Sequence, residues 1–416
     1  LKGALRDRCI RIEPPQAGGP PLAGATSPHA IPLNVKVVIV GAPRWYYTVF
    51  SIDPDFGVYF KIKSEIDPDL PAEPQDLARY ARLVHFMALR HLPGGITDGA
   101  VARLLAEASR WAQHRRKLSA RFEQVEDLVA EAAAMARAGG AAKIDTPQVL
   151  KMLTDRHLRR SRIEDRSQEA IREGLVLIDT DGTRVGQVNG LTVRDLGDHA
   201  FGSPVRISAR VQAGRLGIVN IERATELGGP IQQKGIYIIG GYLSGCFARR
   251  LPLSFSATVT FEQSYGGVEG DSASMGELVA VISALADVPL RQDIAITGSV
   301  NQAGESQPIG GAIEKIEGFY RTCAERGLTG RQGVVIPAAN AAHVILGEEI
   351  AAAVAAGKFN LWTMRDVHDA LELLTGRDPG RAGADGAFPP DSVMAKVEAT
   401  LDHFDRLLQE RSGKAT

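Results

Sequence analysis

Apolar residues recur at two different spacings along the chain, and the change of spacing separates a helical region from mixed regions on either side. From about residue 72 to residue 163 they recur every three or four positions, in a background rich in Ala, Leu, Arg and Glu. This spacing predicts amphipathic helices over residues 75–92, 97–111 and 118–138. Asp145 precedes Thr146 and Pro147, and a capping residue before a proline at the first helical position predicts a fourth helix.

Strand patterns flank this helical region. Residues 9–13 alternate between apolar and polar side chains, which indicates a half-exposed strand, and a Pro- and Gly-rich stretch follows to residue 32. Residues 35–41 are nearly all apolar and end in a glycine, which is typical of a strand buried on both faces of a parallel sheet. A further strand is predicted over residues 175–182, running into an Asp-Gly turn. Beyond it strands alternate with helices to about residue 376, and residues 391–409 have the pattern of a terminal amphipathic helix.

Composition excludes several classes of protein. A length of 416 residues is enough for two to four compact domains. The chain has 48 Lys and Arg residues and 49 Asp and Glu residues, which give a formal net charge of −1. We therefore expect no overall positive electrostatic potential that would attract nucleic acid or an anionic membrane. The three cysteines, Cys9, Cys246 and Cys323, are far apart, which argues against a disulfide framework or a zinc site and fits a reducing cytosol. No apolar run approaches the roughly 20 residues that a membrane span needs. We therefore expect a cytoplasmic protein with no metal site and no membrane partner.

A serine and a lysine carry the candidate chemistry. Ser272 lies in the sequence GDSAS at residues 270–274, Lys315 follows Gly310 and Gly311, and each is predicted just inside a helix. A serine hydroxyl is a poor nucleophile until a base takes its proton, and a lysine amine is such a base only when uncharged. Because the pKa of free lysine is near 10.4, it must fall by about 3 units, and burial among the apolar neighbours of both residues is the expected cause. Backbone amides at the start of the serine helix are expected to hold an oxyanion.

Taken alone, each of the two residues has a more common structural explanation. A serine after an aspartate at a helix start is usually part of a cap. A lysine beside a glutamate on a helix is usually a solvated surface charge. Neither residue would justify a functional prediction without its surroundings.

Residues 187–376 resemble the proteolytic domain of the Lon family throughout. Besides the serine and lysine segments, the resemblance rests on the sequences GLTV at 190–193, GGPIQQKG at 228–235, GGYL at 240–243 and GVVIPAAN at 333–340. The sequence GDSAS is similar to the B-type branch of the family, because Asp271 stands where many members carry proline. The resemblance implies an α+β Lon-type fold in which Ser272 is the nucleophile and Lys315 the general base. It also implies that Thr297 orients the lysine amine through a hydrogen bond, although Thr297 is equally well explained as an ordinary strand threonine.

Three assignments within this resemblance stay open. Ser274 competes with Ser272 for the role of nucleophile, and the family pattern favours Ser272. A carboxylate at Asp271 would favour the charged form of Lys315, so we hypothesise that an Asp271/Lys315 pair marks a resting state that rearranges on substrate binding or assembly. Alternatively, the negative charge of Asp271 only stabilises the helix through its interaction with the positive end of the helix dipole. Gln232 stands where many relatives carry histidine, so no role is transferred to that position.

The residues before 187 resemble the rear part of a nucleotide-dependent motor. Residues 1–70 are similar to a partial AAA+ α/β subdomain whose sensor-1 strand is the run 35–41, residues 72–163 to its helical lid, and residues 164–186 to a linker. Residues 377–416 are predicted to be a C-terminal tail with a helix. Arg121 is placed like the lid arginine that contacts nucleotide, although an exposed helix arginine is the commoner explanation.

The nucleotide-binding motifs of such a motor are missing from the sequence. No G-x-x-x-x-G-K-[ST] motif occurs, and no apolar strand ends in Asp-Glu to hold magnesium. We expect that this sequence alone does not hydrolyse ATP, and that ATP and Mg²⁺ are cofactors only if an upstream motor part is present. Two explanations compete: a truncated ATP-dependent protease, which the first residue Leu1 favours, or an ATP-independent relative with a degenerate motor.

The sequence therefore predicts a Lon-like serine endopeptidase that cleaves unfolded or regulatory proteins through an acyl-enzyme intermediate. The resemblance also implies a homo-hexameric ring. The alternative is a catalytically silent Lon-fold module that serves assembly or DNA binding in a repair motor protein. The presence of both Ser272 and Lys315 disfavours this alternative, and we do not expect nucleic acid as a partner. The feature that favours it is a basic cluster, which consists of Arg156, His157, Arg159, Arg160 and Arg162.

Overall fold

The computed structural model describes residues 1–10, 29–247 and 253–413, and it divides the chain into two compact units. The first unit ends at Asp67. Its strands β1 (Cys9–Ile10) and β2 (Ile31–Pro32) pair in antiparallel orientation, so the start of the predicted alternating strand is confirmed. Residues 11–13 of that prediction, and the Pro- and Gly-rich stretch up to residue 28, lie outside the described residues. The elements of this unit are α1 (Lys2–Asp7), β1 (Cys9–Ile10), β2 (Ile31–Pro32), α2 (Pro43–Ile52) and α3 (Phe56–Tyr59).

The strand predicted over residues 35–41 is wrong. These residues have no regular secondary structure, and the side chains of Val38 and Val40 are 84% and 92% exposed. A parallel strand needs hydrogen-bonding neighbours, and the described residues of this unit offer none to this run. The unit packs through aromatic side chains instead, because Tyr46 and Phe50 of α2 contact Phe56 of α3 edge to face. Apolar character alone does not build a strand here.

The second unit begins with a helical region, and all four helices predicted there are present. The helix predicted over residues 118–138 starts only at Phe122, because Leu118 belongs to a short strand that pairs in antiparallel orientation with the strand before it. Local capping sets the other starts: the Thr97 hydroxyl accepts a hydrogen bond from the third residue of its helix, and Asp145 forms a capping box with Gln148. The elements of the region are β3 (Asp69–Pro71), α4 (Pro74–His91), α5 (Asp98–Trp111), β4 (Lys117–Ser119), α6 (Phe122–Ala138), α7 (Thr146–Arg160) and α8 (Arg162–Arg172).

The remainder of the second unit is a mixed α and β region, as predicted. The predicted terminal helix is confirmed and runs to Gly413. The strands of this region are β5 (Thr183–Arg184), β6 (Gln187–Asp195), β7 (Ala200–Ala213), β8 (Gly217–Asn220), β9 (Phe255–Phe261), β10 (Leu290–Arg291), β11 (Ile294–Ile296), β12 (Ser299–Val300), β13 (Ser306–Gln307), β14 (Gly333–Pro337) and β15 (Asn360–Met364). The helices are α9 (Ile221–Ala224), α10 (Pro230–Phe247), α11 (Ser274–Ala286), α12 (Ala312–Arg326), α13 (Glu348–Ala355), α14 (Val367–Thr375) and α15 (Val393–Gly413), with a 3₁₀ helix at Ala338–His343.

Seven of these strands form one mixed sheet within the described residues, in the order β15-β14-β11-β6-β7-β9-β8. Strand β11 runs parallel to both β14 and β6, whereas β7 is antiparallel to β6 and to β9. Helix α11 lies between this sheet and α15, and Ala284 is its only residue that is not buried. Helix α11 is therefore buried on almost every side, and the fold is α+β, as predicted.

The strand predicted over residues 175–182 is also wrong. Leu175 and Leu177 lie in irregular structure and are 66% and 51% exposed. The side chain of Gln263 satisfies their main chain instead, because its amide nitrogen donates to the Leu175 carbonyl and its amide oxygen accepts from the Leu177 amide. The predicted linker, residues 164–186, also contains most of α8, whose buried Gln168 contacts Gly318 and Thr322 of α12. This segment is therefore attached to the sheet region by side-chain hydrogen bonds.

Helix α12 lies against the main chain of β7. A Cβ atom on Gly202 of β7 would come within 2.1 Å of the Glu314 carbonyl oxygen, and one on Gly318 would come within 2.1 Å of the Gly202 carbonyl oxygen. Only glycine permits this approach. The two glycines therefore allow the first turns of α12 to pack directly against the main chain of the sheet.

None of the helices in the described part of the chain combines the length and the hydrophobicity that a bilayer crossing requires.

Candidate active site

Ser272 lies in a turn just before α11 and not inside that helix as predicted. The helix begins at Ser274, with Ala273 as its N-cap residue. Gly270 enters the turn with a φ of 93°, a conformation that favours glycine. The Ser272 carbonyl then accepts hydrogen bonds from the Gly298 amide at 2.8 Å and from the Thr297 hydroxyl at 3.1 Å. These contacts hold the serine turn against the loop that follows β11.

Lys315 is the fourth residue of α12, and its side chain turns into the protein. The residue is 3% exposed. Its amine donates to the Ser272 hydroxyl at 2.8 Å and to the Thr297 hydroxyl at 3.0 Å. The helix starts after Gly311, whose φ of 66° again favours glycine. The structure thus brings together three residues that sequence analysis had singled out, and the expected hydrogen bond between Thr297 and Lys315 is present.

The Thr297 hydroxyl has a fixed role in this network. It has one proton, which it donates to the Ser272 carbonyl. Toward Lys315 it can therefore only accept, and it takes up one N–H of the amine. In the neutral amine the lone pair is then available on the side of the Ser272 hydroxyl.

Burial lowers the pKa of Lys315 from 10.5 to about 8. Loss of contact with water is the largest cause, and the negative charges of Asp271 and Glu314 act in the opposite direction. With a pKa of about 8, roughly one amine in ten is neutral at pH 7. The predicted cause of the shift, desolvation, is the one that the structure has.

Asp271 does not pair directly with Lys315. Its carboxylate accepts a hydrogen bond from the Ser299 hydroxyl at 2.9 Å. Among the described ion pairs none joins Asp271 to Lys315, so the contact hypothesised for a resting state is not seen here. Its charge still raises the pKa of Lys315 through space, against the effect of burial. Asp271 therefore acts on the lysine electrostatically.

Ser274, the competing candidate for nucleophile, is occupied elsewhere. The residue is 1% exposed, and its hydroxyl oxygen accepts the Val300 amide at 3.1 Å. This bond ties the first residue of α11 to β12. The geometry favours Ser272, whose hydroxyl contacts Lys315.

Two of the amides at the start of α11 are not available for an oxyanion. The Ser274 amide donates to the Asp271 carbonyl and the Met275 amide to the Gly298 carbonyl, both at 3.0 Å. For the amides of Ser272 and Ala273 no acceptor is found within the described residues. The amides that remain available for an oxyanion are therefore those of Ser272 and Ala273, which precede the first residue of the helix.

A buried acid behind the serine turn was not predicted as part of the site. Glu277 is 2% exposed, and its carboxyl oxygen accepts from the side-chain amide of Gln232 at 3.1 Å. Burial raises the pKa of Glu277 to about 8, so this carboxyl group is mostly protonated at pH 7. One signal in the sequence could have indicated it, because Glu277 is the only charged residue in α11.

The remaining predicted site residues lie in the helical region. Arg121 is the exposed N-cap residue of α6, and its role toward nucleotide stays a prediction. The basic cluster is largely paired: Arg156 and Arg159 both contact Glu131, and Arg160 lies 3.9 Å from Asp198. The absence of a nucleic-acid partner stays a prediction.

Three family models match separate parts of the chain. Residues 1–67 match a LonB-like AAA domain. Residues 95–159 match the AAA+ ATPase LID domain of archaeal LonB. Residues 265–375 match the C-terminal proteolytic domain of Lon protease (S16), and this range contains Ser272, Thr297 and Lys315.

Individual relatives extend the similarity over most of the chain. A provisionally named Lon protease homolog of Escherichia coli (strain K12) is 41% identical over 349 residues, which are 83% of this chain and 59% of the relative. A second such homolog, from Haemophilus influenzae, is 33% identical over 89% of this chain and 61% of the relative. The archaeal Lon protease of Thermococcus kodakarensis is 30% identical over 72% of this chain and 45% of its own length. The chain spans about three fifths of the length of the first two relatives. The chain therefore belongs to the Lon protease family, because both its motor-like part and its proteolytic part match members of that family.

Proposed function

We propose that this chain is the proteolytic part of a Lon-type serine endopeptidase, with Ser272 as the nucleophile and Lys315 as the general base. The observation that carries the proposal is the 2.8 Å contact between the Lys315 amine and the Ser272 hydroxyl. The lysine that makes it has a pKa lowered to about 8 by burial. An ordinary lysine would be charged near neutral pH and could not accept the serine proton. Contact and burial together support the assignment.

In the proposed reaction the Ser272 oxygen attacks the carbonyl carbon of a peptide bond while its proton passes to the neutral Lys315 amine. The resulting ammonium gives this proton to the leaving nitrogen as the C–N bond breaks, and an ester between the serine and the acyl part of the substrate remains. A water molecule then gives a proton to Lys315 and attacks the ester. When the ester breaks, the proton returns from Lys315 to the serine oxygen, and the enzyme is restored.

Two further groups support this reaction. Thr297 holds one N–H of the amine and so directs its lone pair toward Ser272. We assign the backbone amides of Ser272 and Ala273 as donors to the oxyanion of the tetrahedral intermediate. Donors in this position need no rearrangement during the reaction, because the serine turn is fixed by the bonds from Gly298 and Thr297.

The proposal extends to the longer protein that the relatives represent. The matches of residues 1–67 and 95–159 to AAA domain models support coupling to an ATP-driven unfoldase, which would need ATP and Mg²⁺. Unfolded or regulatory proteins are the proposed substrates, because only an extended chain would reach a serine enclosed in the proposed hexameric ring. A homo-hexameric assembly and a cytoplasmic location complete the proposal.

Casein cleavage, measured with and without ATP, tests the proposal with two serine variants. We expect Ser272→Ala to lower the cleavage rate by about 10⁴-fold or more, and Ser274→Ala to keep most of the activity. A serine-reactive phosphonate probe, followed by mass spectrometry, should label the peptide that contains Ser272 even where casein is cleaved slowly. Circular dichroism of both variants controls for folding.

Two results would count against the proposal. An inactive Ser274→Ala beside an active Ser272→Ala would move the nucleophile to Ser274. No cleavage and no labelling of the wild type, together with tight DNA binding, would favour the silent assembly module instead.

A further inference from the structure

A cluster of two histidines and a glutamate lies outside the candidate active site. His157 is in the last turn of α7, Glu164 is in the first turn of α8, and His199 lies in the turn between β6 and β7. The side-chain atoms of these residues that could bind a metal all lie within 4.8 Å of one another. In the described part of the chain this is the only group of three such residues.

The spacing of the three groups is close to that of a tetrahedral metal site. Two ligands that each lie about 2.1 Å from a tetrahedral Zn²⁺ are about 3.4 Å apart. One oxygen of Glu164, Oε2, lies 2.8 Å from His199 Nε2 and 3.8 Å from His157 Nε2. The two distances lie on either side of the metal-site value, and both nitrogens approach the same carboxylate oxygen. Small side-chain rotations would therefore bring all three atoms around one ion.

The neighbours of the cluster orient the carboxylate. The other oxygen of Glu164 lies 3.1 Å from Arg321 Nη1, and Arg321 also contacts Asp165 at 2.7 Å. Outer contacts of this kind fix the direction of a ligand in many metal sites. The Glu164 and His199 side chains are 10% and 13% exposed, whereas the His157 side chain is 49% exposed. The site would thus have a fixed inner half and an open side through which an ion can enter.

We propose that His157, Glu164 and His199 bind a divalent transition cation of the Zn²⁺ class, with water in the fourth position. Two imidazoles and a carboxylate suit Zn²⁺, whereas Mg²⁺ and Ca²⁺ prefer oxygen ligands throughout. The bound ion would connect the ends of two helices of the helical region to a turn of the large sheet. Its role would be to stabilise the contact between the helical region and the proteolytic region.

This site could not have been predicted from the sequence. The three residues belong to different elements and form no motif of close spacing, so sequence analysis predicted no metal site. Only the fold brings the turn that carries His199 to the ends of α7 and α8.

Zinc titration of the purified 416-residue chain tests the proposal. The protein is first treated with EDTA, and Zn²⁺ alone is then added in competition with a chromophoric chelator. We expect one tightly bound Zn²⁺ per chain, and a loss of affinity of about 100-fold or more in His157→Ala, since even changes in the outer contacts of a metal site cost 10–100-fold. Zn²⁺ should also raise the melting temperature of the wild type but not that of the variant. Because His157 is half exposed, the variant should melt like the wild type in EDTA.

A second histidine pair provides a matched control. The rings of His114 and His343 lie 5.0 Å apart, edge to face, much as those of His157 and His199 do at 5.4 Å. This control pair belongs to no metal-binding group of three within the described residues. We expect His114→Ala to bind Zn²⁺ like the wild type. Equal affinities for wild type and His157→Ala, or an equal loss in His114→Ala, would overturn the proposal and leave the cluster as a hydrogen-bonded ion pair.

Discussion

Lys315 and Lys63 each donate a hydrogen bond to a hydroxyl group, yet their surroundings move their pKa values in opposite directions. Lys315 contacts Ser272 and Thr297 in the interior of the proteolytic region, where burial lowers its pKa to about 8. Lys63, in the amino-terminal unit, contacts the Glu65 carboxylate and, at 2.6 Å, the Tyr47 hydroxyl, and these contacts raise its pKa. A hydroxyl partner alone thus leaves the charge of a lysine undecided. Access to water and the presence of a carboxylate decide it.

The same two regions also differ in how they treat apolar runs. The run at residues 35–41 and strand β14 are similar in composition. Strand β14 is buried throughout and pairs with β11 and β15 on its two sides. The earlier run has no strand neighbour among the described residues and stays exposed. In both comparisons the neighbours decide the outcome, for chemistry as well as for secondary structure.

The largest expected effect separates the two lysines by activity. Lys315→Met should lower casein cleavage by about 10⁴-fold, because no base remains for the serine proton, whereas Lys63→Met should leave the rate unchanged. Comparable losses in both variants would show that the contrast in environment has no catalytic meaning.

Lys315→Met should also change stability with a definite dependence on pH. The pKa of Lys315 is lower in the folded than in the unfolded chain, so the charged amine destabilises the fold at pH 7. The substitution should then raise the free energy of unfolding by about 1–3 kcal/mol at pH 7. This gain should shrink between pH 8 and 10.5, where the wild-type amine becomes neutral in both states. Urea unfolding at several pH values measures it, and a gain that does not vary with pH would contradict the assigned cause.

A smaller effect separates the two apolar runs by stability. Val335 in β14 is fully buried, so Val335→Ala should lower the free energy of unfolding by about 2–3 kcal/mol. Val40 is 92% exposed, and Val40→Ala should change it by less than about 0.5 kcal/mol. Urea unfolding of both variants, followed by circular dichroism, provides the measurement. A large loss in Val40→Ala would mean that residues 35–41 are covered in solution.

The smallest expected effect concerns the charge that opposes burial at Lys315. Removing the Asp271 charge in Asp271→Asn should lower the pKa of Lys315 further, so the rise of kcat/KM with pH should move to lower pH, by less than about one unit. Glu314→Gln should move it in the same direction by less, because Glu314 contributes less to the pKa. An unchanged pH profile in both variants would rule out electrostatic control of the lysine by these carboxylates.

Local signals made part of the fold predictable. Helices α5 and α7 begin where Thr97 and Asp145 cap them, and such contacts span only a few residues. The strand predicted over residues 175–182 failed because the side chain of Gln263, distant in sequence, satisfies its main chain. The pattern of apolar and polar residues around 175–182 gives no indication of a hydrogen-bonding partner so distant in sequence.

The candidate site divides in the same way. Ser272 and Lys315 were predicted because each lies in a distinctive segment that resembles a known family. Their contact is a result of tertiary packing, and so is the contact of Glu277 with Gln232, which sequence analysis did not anticipate. Ser272 was predicted just inside α11, but the helix begins two residues later at Ser274, so the amides without an acceptor belong to the turn that precedes the helix.

The glycine contact between β7 and α12 has a consequence for the distance between Lys315 and Ser272. The backbone of the lysine helix rests on the backbone of the strand at Gly202 and Gly318, with no room for a methyl group. A hydrogen bond from Lys315 to Ser272 tolerates only a few tenths of an ångström of added length before it weakens. The distance of the proposed proton transfer is thus set by close main-chain packing at two glycines that have no reactive side chain. A methyl group added at either glycine should therefore prevent the proposed reaction, although Ser272, Thr297 and Lys315 would all remain in the sequence.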